Sequence, residues 1–200
     1  LSSMQMIETG DLMGCGLSTS GDVTCWGNVF PTSYPVPADL GDVQQITVSN
    51  SHVCTRDDLH RVVCWGSSSS AAERVPIGLG ELQSIAAGAD TTCMVDVYGA
   101  MDCRGQNTYG ALEFEAQVDA PVSVISMRHG VACVVLDTGV VKCWVDAPGV
   151  TPPTHTLPFV DVRVGSGHIC AIDSMGGLVC WGDGIPGELS VPVGLGPVHQ

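Results

Sequence analysis

The sequence predicts an all-β fold: a β-propeller of about five four-stranded blades, with one disulfide in each repeat. The alternative is a five-blade segment of a larger propeller. Ten cysteines form five pairs, and the first cysteines follow one another at 39, 39, 40 and 37 residues. Each interval holds about four short segments rich in β-branched residues, separated by Gly, Ser, Asp and Pro clusters. A period near 40 residues with four strand-like segments is the size of a propeller blade.

The spacing within each cysteine pair predicts a disulfide-linked hairpin. The two cysteines stand ten positions apart in all five pairs, which are Cys15 with Cys25, Cys54 with Cys64, Cys93 with Cys103, Cys133 with Cys143, and Cys170 with Cys180. Residues that oppose each other on antiparallel strands approach the Cβ separation that a disulfide needs. A residue suited to the left-handed conformation closes each hairpin, namely Gly21, His60, Gly99, Gly139 and Gly176.

Two other states of the cysteines compete with this interpretation. Buried free thiols pack as small hydrophobes, but five identical spacings on predicted hairpins disfavour them. Structural zinc prefers closer cysteine pairs, and each hairpin would supply two ligands. Because disulfides persist in oxidising compartments, the pattern predicts an extracellular, periplasmic or cell-surface protein.

Alignment on the first cysteine shows which residues form the core of each unit. Eleven positions upstream stand Met4, Val43, Leu82, Val122 and Phe159, and eight upstream stand Ile7, Ile46, Ile85, Ile125 and Val162. Directly after the second cysteine stand Trp26, Trp65, Arg104, Trp144 and Trp181. These recurring positions predict blade-to-blade packing, with the tryptophan wedged against the next blade.

The period divides the chain into one repeat domain, 1–200. The repeats span approximately 1–39, 40–78, 79–118, 119–155 and 156–194, and residues 195–200 begin a further strand. Residues 1–6 already provide the equivalent strand of the first repeat, so two segments compete for one position. Because of this competition, the sequence is compatible both with a closed five-bladed ring and with a segment of a larger ring or array.

The charge of the chain indicates which kinds of partner it can bind. Seven Lys and Arg against 21 Asp and Glu give a net charge of −14, which disfavours nucleic acid and anionic lipid and favours a soluble surface or a basic partner. No apolar run is long enough to cross a membrane, so no membrane insertion by this segment is expected. No export signal is evident, and we expect a mature product or an excised piece.

The repeat resembles that of the regulator of chromosome condensation superfamily. The likeness rests on "VQQITVSNSHVC" at 43–54 and "VVCWGS" at 62–67, and it covers essentially the whole chain. The short, cysteine-paired variant is similar to repeats in Crinkly-type receptor ectodomains and in secreted bacterial proteins. The resemblance implies a propeller, most often seven-bladed, that serves as a protein-binding platform. Arg104 in place of Trp, Val145 in place of Gly, and five repeats rather than seven depart from the pattern.

No residue pattern predicts catalysis, a metal site or a cofactor. His52 and His168 both stand two residues before a first cysteine, a shared register that favours a structural role over metal binding. The acid pairs, Asp57 with Asp58 and Glu113 with Glu115, lie on predicted tips and loops, where charged pairs are usually solvated. We therefore expect no enzyme and no cofactor.

Binding is expected where the chain stops repeating. The linkers 28–37 and 105–118 carry the aromatic candidates Phe30, Tyr34, Tyr109 and Phe114, although ordinary packing of a linker over a blade edge is the favoured explanation of these aromatics. The sequence thus predicts a non-catalytic extracellular or cell-surface propeller with a protein partner. A glycan- or small-ligand-binding propeller is the alternative, and an enzyme with a site in the central channel is a third interpretation.

Overall fold

Fifteen short strands make up the described part of the computed structural model, which covers residues 3–27, 35–66, 79–106, 117–144, 151–183, 187 and 189–198. They are β1 (Met4–Thr9), β2 (Met13–Ser18), β3 (Val23–Gly27), β4 (Val43–Val48), β5 (His52–Asp57), β6 (Val62–Gly66), β7 (Leu82–Ala87), β8 (Thr91–Asp96), β9 (Met101–Gly105), β10 (Val122–Arg128), β11 (Val131–Leu136), β12 (Val141–Trp144), β13 (Phe159–Val164), β14 (His168–Asp173) and β15 (Leu178–Gly182). Consecutive triplets form five antiparallel sheets, termed blades 1 to 5, with the second strand in the middle of each. The described residues contain no helix long and apolar enough to cross a membrane.

The number of strands per blade differs from the expectation. Each blade has three strands within the described residues, so the predicted four are not confirmed. The segments between the third strand of one blade and the first strand of the next fall largely on residues 28–34, 67–78, 107–116 and 145–150, which lie outside the described part.

The cysteine pairing is confirmed in all five blades. In each, the two cysteines oppose each other on the second and third strands and form a disulfide with a Cα–Cα distance of 4.0 to 4.1 Å. The bonds join Cys15 to Cys25, Cys54 to Cys64, Cys93 to Cys103, Cys133 to Cys143, and Cys170 to Cys180. The hairpin tips have the predicted left-handed residue, for example Gly21 with φ 83° and His60 with φ 61°. The ten-residue spacing therefore reflects a direct cross-strand pair closed by one tight loop.

The second cysteine of a pair is less enclosed than the first in most blades. Within the described residues, the third strand pairs with a neighbour on one side only, whereas the second strand is flanked on both. The second cysteines of blades 1, 2, 4 and 5 are accordingly half-buried, namely Cys25, Cys64, Cys143 and Cys180. Cys103 of blade 3 is the exception and is buried.

A bulge in the first strand of every blade explains the apolar spacing. In blade 2, Val43 pairs with Asp57 and Gln45 with Arg56, so Gln44 is the extra residue. The other four blades shift register at the same place. Side chains three positions apart face opposite sides of a regular strand, and one inserted residue returns them to the same side. The bulge therefore brings Val43 and Ile46 onto one face.

That face packs against the preceding blade. The core between blades 1 and 2 joins Cys15 and Leu17 to Val43, Ile46 and Trp65, and equivalent cores lie between the later blades. The residues equivalent to Ile46 in blades 3 to 5 are at most 5% exposed. Ile7 in blade 1 is 60% exposed. Packing on a preceding blade, rather than within the sheet, buries this position.

The residues after blade 5 continue the pattern of the earlier blade junctions. The backbone N–H of Val198 donates to the carbonyl of Gly176 at 2.9 Å, as Phe159 donates to Gly139 where blade 5 begins. Val198 thus stands where the first strand of a following blade would start. The described residues 195–198 form no strand, so the further strand stays a prediction.

His52 links blades 2 and 3 from a fully buried position. Its Nδ1 lies 2.8 Å from the Ser49 hydroxyl and its Nε2 lies 2.7 Å from the Thr92 hydroxyl of the next blade. Burial lowers the pKa of the imidazole from 6.5 to about 4, so the ring is neutral at ordinary pH. This supports the structural role predicted for the residue.

The uneven burial of equivalent isoleucines gives a matched pair of variants. In dilute protein, Ile46→Ala should lower the free energy of unfolding by about 2–4 kcal/mol, because it leaves a cavity between two blades. Ile7→Ala should cost less than about 1 kcal/mol, since that side chain already faces water. Urea unfolding of both variants measures the difference, and equal losses would contradict the described packing.

Burial of His52 also predicts a pH dependence. Below pH 6.5 the unfolded chain takes up a proton that the folded protein does not accept until about pH 4. As the pH is lowered from 6.5 to about 4, the contribution of His52 to the free energy of unfolding should therefore fall by about 1.4 kcal/mol per pH unit. In His52→Asn, the free energy of unfolding should decline less steeply over the same pH range. An NMR titration midpoint of the ring near 6.5, instead of near 4, would refute this environment.

Candidate binding surfaces

The aromatic residues proposed from the sequence for binding are not tested by the structure. Phe30, Tyr34, Tyr109 and Phe114 all lie outside the described residues, and their role stays a prediction. His168, which shares the register of His52, is half-buried at the start of β14. Within the described ranges, no group of three or more His, Cys, Asp or Glu side chains is arranged to hold a metal ion.

Asp57 is a structural residue of a hairpin tip, which corrects its interpretation as a solvated loop acid. Its side chain is buried, and its Oδ1 accepts backbone N–H bonds from Leu59 at 3.0 Å and Arg61 at 2.8 Å. Its Oδ2 accepts a 2.6 Å bond from the Arg61 guanidinium. An Asp side chain that accepts hydrogen bonds from the backbone N–H groups two and four residues later closes and rigidifies a turn.

The same tip closure recurs three residues after the first cysteine. The carboxylates of Asp96 and Asp173 each accept two tip N–H groups, and the Ser18 hydroxyl takes this part in blade 1. Blade 4 has Leu136 there. The sequence shows that Asp recurs at this position of the repeat, but only the structure shows that its side chain points back into the hairpin tip.

Three of the tips project large apolar side chains into solvent. Two residues beyond the tip Asp stand Leu59, Tyr98 and Met175, which are 67%, 80% and 71% exposed. Because the blades share one strand order, these side chains lie along the same edge of the array. We call this set the tip row. Large exposed apolar side chains on rigid turns are typical of a surface that binds protein.

Grooves open beside the tips of blades 3 and 4. One of about 380 Å³ lies between Tyr98 and the segment that enters blade 4, including Val118 and Pro121. The other, of about 580 Å³, lies between Val140 and the proline-rich segment Pro152–Phe159. Both are formed by a tip and the chain that enters the next blade, so they are equivalent positions of the repeat.

Carboxylates surround the tip row. Asp58 and Asp137 lie in tips, and Asp42 and Glu81 directly precede first strands; all four are exposed. The backbone carbonyls of Asp42 and Glu81 accept N–H bonds from tip residues at 3.0 and 2.8 Å, which places both at the tip edge. Arg61, on the same edge, is held by Asp57. The tip edge thus combines apolar side chains with negative charge.

The first strands of the five blades surround a small polar cavity of about 110 Å³. Glu8, Thr47, Ser126, Arg128 and Arg163 contribute to its lining. Burial raises the pKa of Glu8, while Arg163 and Arg128 oppose that shift. The cavity is much smaller than a typical small-molecule site.

A circuit of hydrogen bonds links blades 1 to 4 at the edge opposite the tips. The Asp11 carboxylate accepts from Asn50 at 2.8 Å and from the His129 ring at 2.7 Å. Ser51 donates to the Ala89 carbonyl at 2.6 Å, and the Ala89 N–H donates to the His129 carbonyl at 2.8 Å. This clasp ties blades 1 to 4 together, and the bond from His129 lowers the pKa of Asp11.

Comparison with known proteins shows which solved structures share the fold of this chain. The sequence matches no protein-family model and no curated protein. Among solved structures, it is similar to the ectodomain of the Physcomitrella patens receptor kinase CR4, with 23% identity and a TM-score of 0.70 over 90% of this chain and 52% of that one. The Crinkly ectodomain of the Arabidopsis thaliana receptor kinase ACR4 is 20% identical, with a TM-score of 0.75 over 94% and 68%.

Prp20p of Saccharomyces cerevisiae, which was studied for its binding to Gsp1p and histones, is 15% identical with a TM-score of 0.70 over 90% of this chain and 58% of that one. The chain thus spans about half of the moss ectodomain and about two thirds of the Arabidopsis ectodomain. At these identities the comparison establishes the fold. In fold, it agrees with the resemblance stated from the repeat: the chain has propeller-type blades like those of the two receptor-kinase ectodomains and of Prp20p.

Proposed function

We propose that this chain is an extracellular, non-catalytic interaction propeller that binds a cationic protein surface through its tip edge. The observation that carries the proposal is the tip row, in which Leu59, Tyr98 and Met175 stand more than two thirds exposed on turns fixed by hydrogen bonds. Because the backbone of these turns is fixed before binding, a complex costs little additional backbone conformational entropy at the three positions.

Charge selects the partner. The chain carries a net charge of −14, and Asp42, Asp58, Glu81 and Asp137 bring part of that charge to the tip edge. Complementary charge accelerates encounter and rejects wrong partners, while apolar anchors supply much of the affinity. The fitting partner has Lys or Arg around exposed apolar residues. Another acidic protein would be repelled.

The extracellular assignment rests on two supports. Five hairpin disulfides and no free cysteine in the described structure fit an oxidising compartment. Two of the similar structures are receptor-kinase ectodomains. Display outside a cell gives an acidic platform access to secreted or surface-bound cationic proteins.

Intact mass under alkylation tests the compartment. Protein isolated from its source without reductant should gain no alkyl group from iodoacetamide in denaturant, and it should gain ten after reduction, one for each cysteine. Each closed loop should stabilise its hairpin by at most about 2–3 kcal/mol, so the reduced protein should also unfold at lower urea concentration. Free thiols in the unreduced protein would contradict the extracellular assignment.

Selection from a random peptide-display library tests the binding surface without assuming a partner. Selected peptides should be enriched in Lys or Arg together with large apolar residues, and their affinity should fall as NaCl rises from about 50 to 500 mM. Tyr98→Ser should weaken binding by about tenfold or more, as expected for an aromatic anchor.

Leu12→Ser is the matched control, because Leu12 is 55% exposed but lies in the turn between β1 and β2, near the clasp. It should leave peptide binding unchanged. Selection of acidic peptides, or equal losses from Tyr98→Ser and Leu12→Ser, would refute the tip edge as the binding surface.

A further inference from the structure

The tip of blade 4 stands between the two grooves of the tip edge. On one side, the backbone N–H of Asp137 donates to the carbonyl of Pro121 at 2.9 Å, and Pro121 lines the groove beside Tyr98. On the other side, the carbonyl of Gly139 accepts the N–H of Phe159 at 3.0 Å, and both residues line the larger groove. We call residues 137–139 the ridge, because this one turn separates the grooves.

Apolar side chains line the groove on each side of the ridge. The smaller groove lies between Tyr98, which is 80% exposed, and the chain at Val118 and Pro121. The larger groove is lined by Val140 and Leu157, which are 50% and 38% exposed. Each groove therefore offers apolar contacts to a side chain that enters it.

The outer wall of the larger groove is held in place by contacts with blade 5. His155 stacks on Phe159 with ring centroids 4.9 Å apart, and its Nε2 lies 3.0 Å from Oδ2 of Asp173. The carbonyl of Pro158 accepts the N–H of Ser174 at 2.9 Å. Because Asp173 also closes the tip of blade 5, the wall and that tip form one hydrogen-bonded unit. A groove fixed in this way costs little ordering on binding.

The ridge carries a carboxylate that is available to a partner. Asp137 is exposed, and among the described residues no Lys, Arg or His forms an ion pair with it. Lys142, on the strand that follows the ridge, pairs with Asp119 instead. A cationic side chain that crosses the ridge therefore meets Asp137 without displacing an existing ion pair.

We propose that the partner presents an extended segment with the pattern apolar–x–Lys/Arg–x–apolar, which lies across the ridge with one apolar side chain in each groove and the cation on Asp137. The inference rests on the proposed function and specifies which part of a cationic protein the tip edge binds. Alternate side chains of an extended segment point the same way, so the first, third and fifth residues all face the surface.

The dimensions of the blades fit this pattern. Sheets that pack face to face lie about 10 Å apart, and five extended residues span about 13 Å, so the two apolar side chains reach grooves that are one blade apart. A helix spaces residues seven positions apart by a similar distance, but it is a rod about 10–12 Å wide. Asp137 and Thr138 are both exposed on the ridge and hold such a rod away from the grooves.

Fluorescence anisotropy with labelled synthetic peptides tests the pattern. The reference peptide has nine residues, with Leu at its third and seventh positions, Arg at its fifth, and Gly or Ser elsewhere. Moving the Arg to the fourth position turns it away from the ridge and should weaken binding about fivefold, the upper range for an exposed ion pair. A longer peptide with the same three residues at helical spacing should bind no better than the shifted peptide.

Asp137→Lys is the matching change on the protein. It should weaken binding of the reference peptide at least about tenfold, because it places like charges opposite each other. A peptide with Glu in place of Arg should bind this variant better than the reference peptide does. The variant should fold, because the same tip position holds Thr19, Val97 and Ser174 in other blades.

Asp58→Lys is the matched control. Asp58 is exposed at the same tip position of blade 2, so the substitution changes the net charge equally but lies away from the ridge. It should weaken binding less than about threefold, through long-range attraction alone.

Equal losses from Asp137→Lys and Asp58→Lys would overturn the proposal, as would equal affinity for Arg at the fourth and fifth positions or tighter binding of the helical peptide. The proposed function fails separately. It stands if basic peptides from the library lose affinity in Tyr98→Ser while the two Lys variants behave alike, and it fails together with this inference if no basic peptide binds.

Discussion

Burial of one sheet face against the next blade is the constraint on which the rest of the molecule depends. A small sheet of four- to seven-residue strands cannot cover its own faces, so each blade is stable only when it packs against a neighbour. The disulfides lie within these interfaces: the first cysteine of blades 1 to 4 is fully buried. In blades 1 to 4 the disulfide therefore closes its hairpin and also fills the core that holds adjacent blades together.

The features of the fold that recur in every repeat could be predicted from the sequence. Ten-residue spacing fixes a cross-strand pair, and the tip residue follows from the conformation that a short loop demands. The bulge was not recognised, although apolar residues three apart, such as Val43 and Ile46, already implied that one residue in between is extra. The expected fourth strand rested on about four strand-like segments in each repeat and on the repeat size. The chain between the third strand of one blade and the first strand of the next lies largely outside the described residues, so the fourth strand stays a prediction.

The binding surfaces were harder to predict, because exposure depends on what lies next to a residue. Ile7 and Ile46 occupy the same position of the repeat, yet only Ile46 has a blade in front of it. Asp57 was expected to be solvated, because the sequence does not show that two backbone N–H groups of the hairpin tip donate to its carboxylate. Leu59, Tyr98 and Met175 all stand five residues after a first cysteine, so their shared register is visible in the sequence, but their exposure is not.

In the proposed binding mode, differences between the repeats would give the tip edge its specificity. The tip position carries Ser20 and Leu59 in blades 1 and 2, Tyr98 and Thr138 in blades 3 and 4, and Met175 in blade 5. A row with the same residue at every tip would bind a partner equally well when it is shifted by one blade. Two adjacent anchors of different size, followed by a polar tip and a flexible methionine, make each shifted register lose an apolar contact or bury a hydroxyl. Under the proposed function, the uneven tips would therefore orient a partner on a scaffold whose blades are otherwise alike.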